Sequence, residues 1–413
     1  MRACVVGAGL GGLLMALGLL RKGYDVTVYE ALSYPGGRFT NRTYKGFSLS
    51  TGALHMIPHG SRGPLAEALR RYGAGVEIMD SEPEGLFRVG GEDHLFEELP
   101  GLFPLVDKLK LGAALGKLTL GMVRSDESFE TWLAKQVRHP LALRLADSFC
   151  GWALSIDSSM IPSKEVAAIA KNINTLGGPG VPVGGCKGVT DALVEAIQAE
   201  GGEFIYKSRV KKIGVEDGRA CYVGASEKKP CDVVVSNIGP KATLDLCGQE
   251  NFPRRYIDEI RRLREAAGIK ISVACDKAML GHTGVLFTPE AERVCGLNEV
   301  TNADPGLAPP GRHLLMSHQT LLPGRSIREE IKLGIRDLHA LFPDFGEHCR
   351  VLAAQCYRGS WPVNRVMSGQ SLGPETPVEG LVLVGDAVKP GGYMETDGVA
   401  AGVRLALDVV EDL

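Results

Sequence analysis

The sequence lacks several features that mark large classes of protein. Its ten cysteines include no pair at C-x-x-C spacing, which argues against a zinc ribbon or a thioredoxin-type redox motif. The formal net charge is −3, so overall charge provides no attraction for nucleic acid or for an anionic membrane. Apart from the glycine-rich residues 3–20, no stretch of about 20 residues is both apolar and free of charges. We therefore predict no metal site, no nucleic-acid partner and no membrane-spanning segment.

The length and the balance of residue types fit a globular protein with two domains. The chain has 413 residues, of which 44% are apolar and 23% charged, close to the averages for globular proteins. A single hydrophobic core rarely serves more than about 300 residues, so two domains are expected. We interpret the cysteines as reduced thiols in the cores of a cytoplasmic protein.

The first motif is a glycine-rich turn between a predicted strand at residues 3–6 and a predicted helix at residues 10–22. The turn contains Gly7, Gly9, Leu10, Gly11 and Gly12. In a G-x-G-x-x-G turn, the first glycine permits a tight bend, the second lets the backbone approach a pyrophosphate, and the third lets helix and strand pack closely. The helix N-terminus then faces the negative charge. Such glycines argue against a signal peptide, which the apolar residues 3–20 otherwise imitate.

Two further features extend this βαβ unit. Glu30 follows a second predicted strand at residues 25–29, where its carboxylate suits ribose hydroxyls and would repel a 2′-phosphate. Gly36, Gly37 and Arg38 come soon after it. The two glycines let the chain fold back, and the guanidinium can neutralise a pyrophosphate. This pattern predicts a dinucleotide-binding unit.

The third motif lies more than 340 residues further along the chain. A predicted buried strand at residues 381–384 leads into Gly385 and Asp386, followed by Gly391, Gly392 and a predicted helix that opens near Gly398 and Val399. An acid at the end of a buried strand can bind a polyol such as a ribityl chain, and a helix N-terminus can stabilise negative charge on a reduced flavin. NAD alone needs no such second site. The combination predicts FAD, with binding of NAD(P) alone as an alternative.

Together these segments resemble the flavin amine oxidase and phytoene desaturase superfamily. Residues 5–40, "VVGAGLGGLLMALGLLRKGYDVTVYEALSYPGGRFT", look like its FAD signature. Residues 381–406, "LVLVGDAVKPGGYMETDGVAAGVRLA", look like its C-terminal signature, closer to the carotenoid and phytoene desaturases than to the amine oxidases. Residues 184–213 are similar to its central block. The resemblance covers about half the chain, and desaturases of this group tend to be longer, which argues against a long carotenoid tunnel.

The resemblance implies roles for further residues and an architecture. The backbone of Val210 would contact the adenine. Gly52 and Ala53 would lie beside the cofactor, and the loop at residues 182–188 would pass near the flavin. The implied fold class is α/β, with a Rossmann-like FAD-binding domain and a second domain in which helices cap a mixed sheet. We assign residues 1–75, 177–247 and 356–413 to the FAD domain, and residues 76–176 and 248–355 to the substrate domain. Helices are expected at residues 327–341 and from a cap at Thr190 to residue 200.

The leading functional hypothesis is an FAD-dependent oxidoreductase that acts on an apolar, isoprenoid-like substrate. Desaturation, saturation or isomerisation would proceed by hydride transfer between an allylic carbon and flavin N5. The desaturase-like C-terminal block and an apolar segment at residues 102–124 motivate it. That segment is rich in leucine, and its charges are basic apart from Asp107. It is interpreted as a buried cap helix or as a peripheral membrane contact.

Two rival functions remain open. An amine or amino-acid oxidase would require an aromatic cage around the flavin, and the aromatic content of 6% counts against it. A flavin-binding protein without turnover would have no substrate-shaped cavity. The sequence identifies neither the catalytic residues nor the oligomeric state.

Several residues are weaker candidates for chemistry. Cys186 lies in a G-G-C-K-G segment that has the outline of a nucleophile elbow, although a flavin-adjacent turn explains it better, and Lys187 is interpreted as a flavin contact or a surface lysine. His55 and His59 have the i, i+4 spacing of metal ligands, but Pro58 makes a helix there doubtful. Two interpretations are open for a group that precedes the last motif, substrate or ring contacts on the one hand and core packing and surface charge on the other: Tyr357, Arg358, Trp361, Asn364 and Arg365.

Overall fold

The structure is a computed structural model that describes residues 1–322, 324–359 and 366–411. The strands are β1 Arg2–Val6, β2 Asp25–Tyr29, β3 Asn41–Tyr44, β4 Phe47–Ser50, β5 Ile78–Asp80, β6 Gly85–Val89, β7 Glu92–Leu95, β8 Gly180–Pro182, β9 Glu203–Ile205, β10 Lys212–Glu216, β11 Arg219–Gly224, β12 Lys228–Pro230, β13 Val233–Ser236, β14 Gly268–Cys275, β15 Val285–Phe287, β16 Gly296–Glu299, β17 His313–Thr320, β18 Cys349–Tyr357 and β19 Leu381–Leu383.

The helices are α1 Leu10–Arg21, α2 Pro64–Tyr72, α3 Leu105–Thr119, α4 Phe129–Gln136, α5 Pro140–Leu154, α6 Ser163–Leu176, α7 Gly185–Ala199, α8 Pro240–Cys247, α9 Arg254–Arg262, α10 Ile327–Leu341, α11 Phe345–His348 and α12 Glu395–Glu411. Short 3₁₀ segments are Gly60–Arg62, Phe96–Leu102, Ser158–Met160, Gln249–Asn251, Val300–Asn302 and Pro305–Leu307. Within the described ranges, no helix combines the length and the hydropathy needed to cross a bilayer.

A parallel sheet with strand order β19-β13-β1-β2-β9 forms the centre of one half of the molecule. Its strands are short, and apart from the edge strand β9 they are mostly apolar and buried on both faces, as expected for parallel strands. One face packs against α1, α7 and α12. The other face packs against the antiparallel sheet β10-β11-β12 and the helices α8 and α9. This is the Rossmann-like layer that the sequence predicts.

A mixed sheet with strand order β18-β14-β17-β16-β15-β6-β7 organises the other half. β6 and β15 run parallel, and the neighbouring pairs are antiparallel. α10 packs on one face, and α3 to α6 form a helical cap over the other. The predicted fold class, an α/β flavoprotein fold with a helix-capped mixed sheet, is confirmed.

The two sheets draw on alternating segments of the chain. The strands of the parallel sheet lie within residues 1–75, 177–247 and 356–413, and those of the mixed sheet lie within residues 76–176 and 248–355, apart from the end of β18. The strand β18 continues to Tyr357, two residues past the predicted boundary. The domain division itself stays a prediction.

Local predictions succeed where the sequence pattern is regular. α10 has the predicted bounds, Ile327–Leu341. The cap at Thr190 is wrong, because α7 already begins at Gly185, directly after Gly184 in the left-handed region. Thr190 lies fully buried inside the helix, where its hydroxyl donates to the carbonyl of Lys187 at 3.0 Å. A glycine pair therefore starts this helix, and no side-chain cap is needed there.

A buried carboxylate joins α12 to the segment that leads into α2. Asp397 is fully buried, and its two oxygens accept from the backbone N–H groups of His59 and Leu65, both at 2.9 Å. Burial raises the pKa of Asp397. Because both N–H groups lie away from water, they depend on this carboxylate for a hydrogen-bond acceptor.

Replacing Asp397 with alanine is expected to lower the free energy of unfolding by about 2 to 4 kcal/mol, because two buried N–H groups lose their acceptor. Chemical denaturation of the variant and the wild type measures the difference. Asp408→Ala, an exposed site on the same helix, serves as the control and should change stability by less than about 0.5 kcal/mol. Equal effects of the two substitutions would contradict the assignment.

Candidate functional site

The glycine-rich turn lies where β1 ends and α1 begins. Gly7 has φ +98°, which only glycine adopts readily. A Cβ atom on Gly12 would lie 2.1 Å from the carbonyl oxygen of Gly7, so helix and strand are in direct backbone contact there. The first turn of α1, which includes Leu10, contains no acidic side chain. Its N–H groups therefore present a positive potential without an internal anion to neutralise it.

Asn237 packs beneath this turn, at the end of the neighbouring strand β13. A Cβ atom added to Gly9, Gly11 or Gly385 would lie 2.7 Å from an atom of its side-chain amide. In the amide orientation that satisfies both side-chain atoms, its oxygen accepts from the N–H groups of Gly9 and Gly12, each at 3.3 Å. Asn237 thus holds the first and last motifs together, a role that the sequence analysis missed.

Glu30 lies at the end of β2, beside the turn. It is buried, and its carboxylate accepts from the N–H of Ala8 at 2.9 Å and from the N–H of Leu32 at 2.8 Å. These bonds fix the carboxylate at the mouth of the crevice. Each carboxylate oxygen has a second lone pair, so the group can also accept from ribose hydroxyls.

Gly36 and Gly37 fold the chain back against the glycine turn. The N–H of Gly36 donates to the carbonyl of Ala8 at 2.7 Å, and both glycines have positive φ. The guanidinium of Arg38, which follows, lies 3.9 Å from the carboxylate of Asp386. Asp386 also accepts from the N–H of Val366 at 2.6 Å and lies 3.4 Å from the ammonium of Lys389. The structure thus brings the start and the end of the chain together.

The C-terminal glycine loop is held by the helical cap. The N–H of Gly392 donates to Glu165 on α6 at 2.9 Å, and its carbonyl accepts from Asn172 at 2.8 Å. Gly391 lies against the same carboxylate, 3.1 Å from the position of an added Cβ. α12 begins at Glu395, so Gly398 and the buried Val399 lie in its first turn. The cap therefore positions the loop that the sequence analysis assigned to the flavin.

A buried lysine contacts the segment around Gly52 and Ala53. The ammonium of Lys270, on β14, donates to the carbonyl of Ser50 at 2.5 Å, to the hydroxyl of Ser50 at 2.7 Å and to the carbonyl of Gly52 at 2.6 Å. Its side chain is fully buried, and this burial lowers the pKa of Lys270 to about 7. The three oxygen acceptors favour the charged form and oppose desolvation.

His55 completes this buried polar group. Its Nε2 atom accepts from the N–H of Ser50 at 2.9 Å, so the neutral ring carries its proton on Nδ1. Burial and the charge of Lys270 lower the pKa of His55 to about 3. His55 therefore orders the loop as a neutral ring. It is not part of a helix, and within the described ranges no cluster of His, Cys, Asp and Glu is arranged to hold a metal ion.

Val210 lies on the far side of Glu30. Its side chain is buried in the cluster that includes Val6 and Tyr29. Ser208, two residues before Val210, donates its N–H to the carbonyl of Glu30 at 2.9 Å. The segment thus runs alongside Glu30, as the predicted roles of the two residues in binding an adenosine require.

The residues around the crevice fit an extended dinucleotide such as FAD. At one end, the turn and α1 present N–H groups beside Arg38, which suits a pyrophosphate. Glu30 and Val210 lie on the β2 side, which suits an adenosine. Asp386 lies on the β19 side, which suits a ribityl chain. The glycine turn, Glu30 and Asp386 lie at or just beyond the carboxyl ends of parallel strands, the edge where such sheets bind ligands.

An apolar cavity of about 600 Å³ lies between the mixed sheet and the cap. Side chains of α3, α5, α6, β6 and β15 line it. At one end it is lined by Leu54 and Met394, which lie one and two residues beyond Ala53 and Gly392. Glu395 also lines it and has φ +45°, an uncommon conformation for a residue other than glycine. The cavity therefore reaches the loops that the sequence analysis assigned to the cofactor.

The weaker candidates have structural explanations. Cys186 is fully buried, its thiol faces the carbonyls of Leu54 and His55 at 3.9 Å, and burial raises its pKa to about 12, so it cannot serve as a nucleophile. Lys187 is exposed and pairs with Asp191. His59 is buried against the carbonyl of Gly177. Trp361, Asn364 and Arg365 lie outside the described residues.

The remaining two weaker candidates lie at the end of β18. The ring of Tyr357 is buried and its hydroxyl contacts His318. Arg358 is exposed. Neither lines the cavity next to the cofactor loops.

The chain matches a family of known proteins along nearly its whole length. A model of the family described as flavin containing amine oxidoreductase matches residues 10–410. The uncharacterized protein MJ1488 of Methanocaldococcus jannaschii is 43% identical over 418 residues, which cover 100% of both chains. A chloroplastic prolycopene isomerase of Daucus carota is 25% identical over 375 residues, which cover 76% of this chain and 60% of the isomerase.

Solved structures of similar fold also cover the whole chain. The crystal structure of an oxidoreductase from Methanosarcina mazei has a TM-score of 0.94 and 43% identity, with 100% of both chains covered. A putrescine oxidase bound to putrescine has a TM-score of 0.78 and 18% identity, covering 100% of this chain and 99% of the oxidase. The second likeness concerns the fold alone.

Arg38→Met is expected to weaken FAD binding at least tenfold, because the crevice loses the charge that neutralises the pyrophosphate. The Lys389 ammonium still faces Asp386 in this variant, so the fold should persist. Titration of apoprotein with FAD measures the affinity. Arg42→Met is the matched control, since this exposed arginine packs on the ring of Tyr34. Unchanged affinity in Arg38→Met would contradict the placement of the pyrophosphate.

The buried lysine predicts a pH dependence of stability. The pKa of Lys270 is about 7 in the folded protein and about 10.4 in an unfolded chain. Between these values the unfolded chain holds a proton that the folded protein releases, so this group makes stability rise with pH. The stability of the wild type relative to Lys270→Met should therefore be greater at pH 9 than at pH 6. Denaturation curves at both pH values measure it, and a pH-independent difference would refute the assignment.

Proposed function

The chain belongs to the family of flavin-containing amine oxidoreductases, and on that premise we propose that its substrate is apolar and isoprenoid-like. FAD as the cofactor and oxidoreduction as the class of chemistry come with the family. The proposal concerns the substrate and the reaction. Desaturation, saturation and isomerisation of a polyprenyl chain are the reactions that we consider.

The apolar cavity that reaches the cofactor loops carries this proposal. Its volume of about 600 Å³ is typical of small-molecule pockets, and its lining is mostly aliphatic and aromatic. Phe87 and Phe287 stack within the lining at 4.6 Å between ring centroids, and Trp152 adds a further aromatic surface. Arg62 and Glu84, at its edge, pair with each other at 3.7 Å. Such a surface favours hydrocarbon over a polar substrate because it offers little to replace lost hydration.

The residues of the chain would act mainly by positioning and by excluding water. Hydride transfer to or from a substrate carbon is the chemistry that bound FAD supplies. The cap helices and the mixed sheet enclose the hydrocarbon, so that its reacting carbon is held beside the cofactor loops. Leu54 and Met394, where the cavity meets those loops, set the depth to which the substrate enters. A dry cavity also protects charge that develops on the substrate from capture by water.

Relatives support an isoprenoid rather than another apolar compound. A prolycopene isomerase matches 76% of the chain at 25% identity, although the chain spans only 60% of that enzyme. The shorter chain and the moderate cavity volume favour a compact part of an isoprenoid, or a short one, over a long tunnel for a whole carotenoid.

Anaerobic mixing of the holoprotein with short polyprenyl lipids in detergent should change the visible absorbance of the flavin. Ala114→Trp should slow this change at least tenfold, because Ala114 is buried on α3 and lines the cavity. Ala113→Trp, one residue away on the exposed side of the same helix, is the matched control and should react at the wild-type rate. Bound FAD and thermal unfolding confirm that both variants fold.

The outcome separates the proposal from its rivals. A flavin that putrescine or another amine reduces, and that polyprenyl lipids leave unchanged, would replace the proposal with an amine oxidase. A flavin that no donor reduces and no acceptor oxidises would point to a binding protein without turnover.

A further inference from the structure

The helix α3 has two apolar faces, although a helix at the surface of a soluble domain usually has one. Leu111, Ala114 and Leu118 form the buried face and line the cavity. On the opposite side, the exposed fractions are 73% for Leu105 and 67% for Leu109. Packing in the core of this protein thus explains why one face of α3 is apolar, but it does not explain the other face.

The exposed apolar residues form a continuous stripe. At 3.6 residues per turn, positions 105, 109, 112, 113, 116 and 120 fall on one side of the helix. They are the exposed Leu105, Leu109, Gly112, Ala113 and Leu120 and the half-buried Gly116. Leu120, directly after the helix, is 66% exposed, and Met122 beyond it is 63% exposed. We call this surface the α3 stripe.

Basic side chains flank the α3 stripe. Lys108 lies on one side of it, and Lys110 and Lys117 lie on the other. These lysines and Arg124 are exposed, and none of them forms an ion pair with another described residue. Asp107 is the one acid in the sequence of residues 102–124, and it is half-buried. An apolar stripe with lysines on both flanks matches the boundary between acyl chains and anionic headgroups, where lysine stems lie along the apolar surface and ammonium groups reach the phosphates.

The α3 stripe adjoins the wall of the substrate cavity. Leu95 and Phe96, which are 39% and 44% exposed, also line the cavity. The 3₁₀ segment Phe96–Leu102 that begins there packs against α3. The stripe and the cavity wall are therefore connected through this 3₁₀ segment, which also carries the exposed acids Glu97 and Glu98.

We propose that α3 docks on the surface of an anionic lipid bilayer and that an apolar substrate passes from the bilayer into the cavity beside Leu95 and Phe96. The α3 stripe enters the acyl–headgroup boundary, and the four flanking cations contact the headgroups. The identity of the incoming molecule rests on the proposed function, whereas the docking itself rests only on the surface. Self-association through the stripe is disfavoured, since a symmetric contact would set cations against cations without an acid on the stripe to pair them.

Vesicle flotation tests the docking. Holoprotein is mixed with vesicles of phosphatidylcholine alone or with about one-third phosphatidylglycerol, and flavin absorbance locates the protein. Binding is expected with phosphatidylglycerol and should fall as salt rises, because the attraction is partly electrostatic. No binding to the anionic vesicles would overturn the proposal, and so would binding of equal strength to both vesicle types.

Paired variants locate the surface. Lys108→Glu/Lys110→Glu should weaken binding at least tenfold. Arg255→Glu/Arg262→Glu makes the same change of charge on α9, a charged helix without an exposed apolar stripe, and should have a much smaller effect. Leu105→Ser/Leu109→Ser should also weaken binding at least tenfold, whereas Leu405→Ser, on α12, should not. Equal effects of test and control variants would overturn the assignment to α3.

Two further measurements keep this proposal separate from the proposed function. Light scattering without vesicles reports self-association, and a dimer that Leu105→Ser/Leu109→Ser dissociates would replace the bilayer by a second copy. Flavin reduction by lipids in detergent does not require docking. Vesicle binding without any reaction would therefore refute the substrate and leave the docking intact.

Discussion

The whole arrangement depends on one close backbone approach between the two ends of the chain. A Cβ atom on Gly11 would lie 3.0 Å from the backbone nitrogen of Gly385, with Asn237 filling the space beneath. Parallel pairing of β1 with β13 and of β13 with β19 brings these segments to the same edge. If larger residues separated them, Arg38 and Asp386 could not face one crevice. The cofactor site is therefore a consequence of sheet order together with the absence of side chains at the contact.

The same edge explains why so much of the cofactor site could be predicted from the sequence. Gly7 and Glu30 come directly after short buried strands, Asp386 comes three residues after one, and such a pattern is local. Parallel strands end at a common edge, so local patterns over 340 residues apart predict one site. The sequence did not predict contacts between residues that are far apart in the chain when the segments around them contain no motif. Lys270 stands in an apolar strand, and only the tertiary structure shows that its ammonium meets Ser50 and Gly52. A lone lysine in an alternating apolar strand was the one available signal.

The substrate domain does more than enclose a cavity, because it also holds the loops of the cofactor site. Glu165 and Asn172 of the cap bind the backbone of Gly392, and Lys270 of the mixed sheet binds the carbonyl of Gly52. Each contact joins a residue that the sequence placed in the substrate domain to one in the FAD domain. Movements of the cap would therefore be transmitted to the cofactor loops through directed hydrogen bonds.

An apolar cavity also constrains how its ligand arrives. A hydrocarbon dissolves poorly in water, so a route through bulk solvent would supply little substrate, whereas a bilayer concentrates it. Leaving Leu105 and Leu109 in water carries a cost in solubility that a protein of this size could avoid with two polar substitutions. Contact with a bilayer would explain this exposure, because both leucines lie beside the cavity wall and between exposed lysines. Under the proposed docking, the face of α3 that lines the cavity and the face that would meet the lipid serve the same transfer.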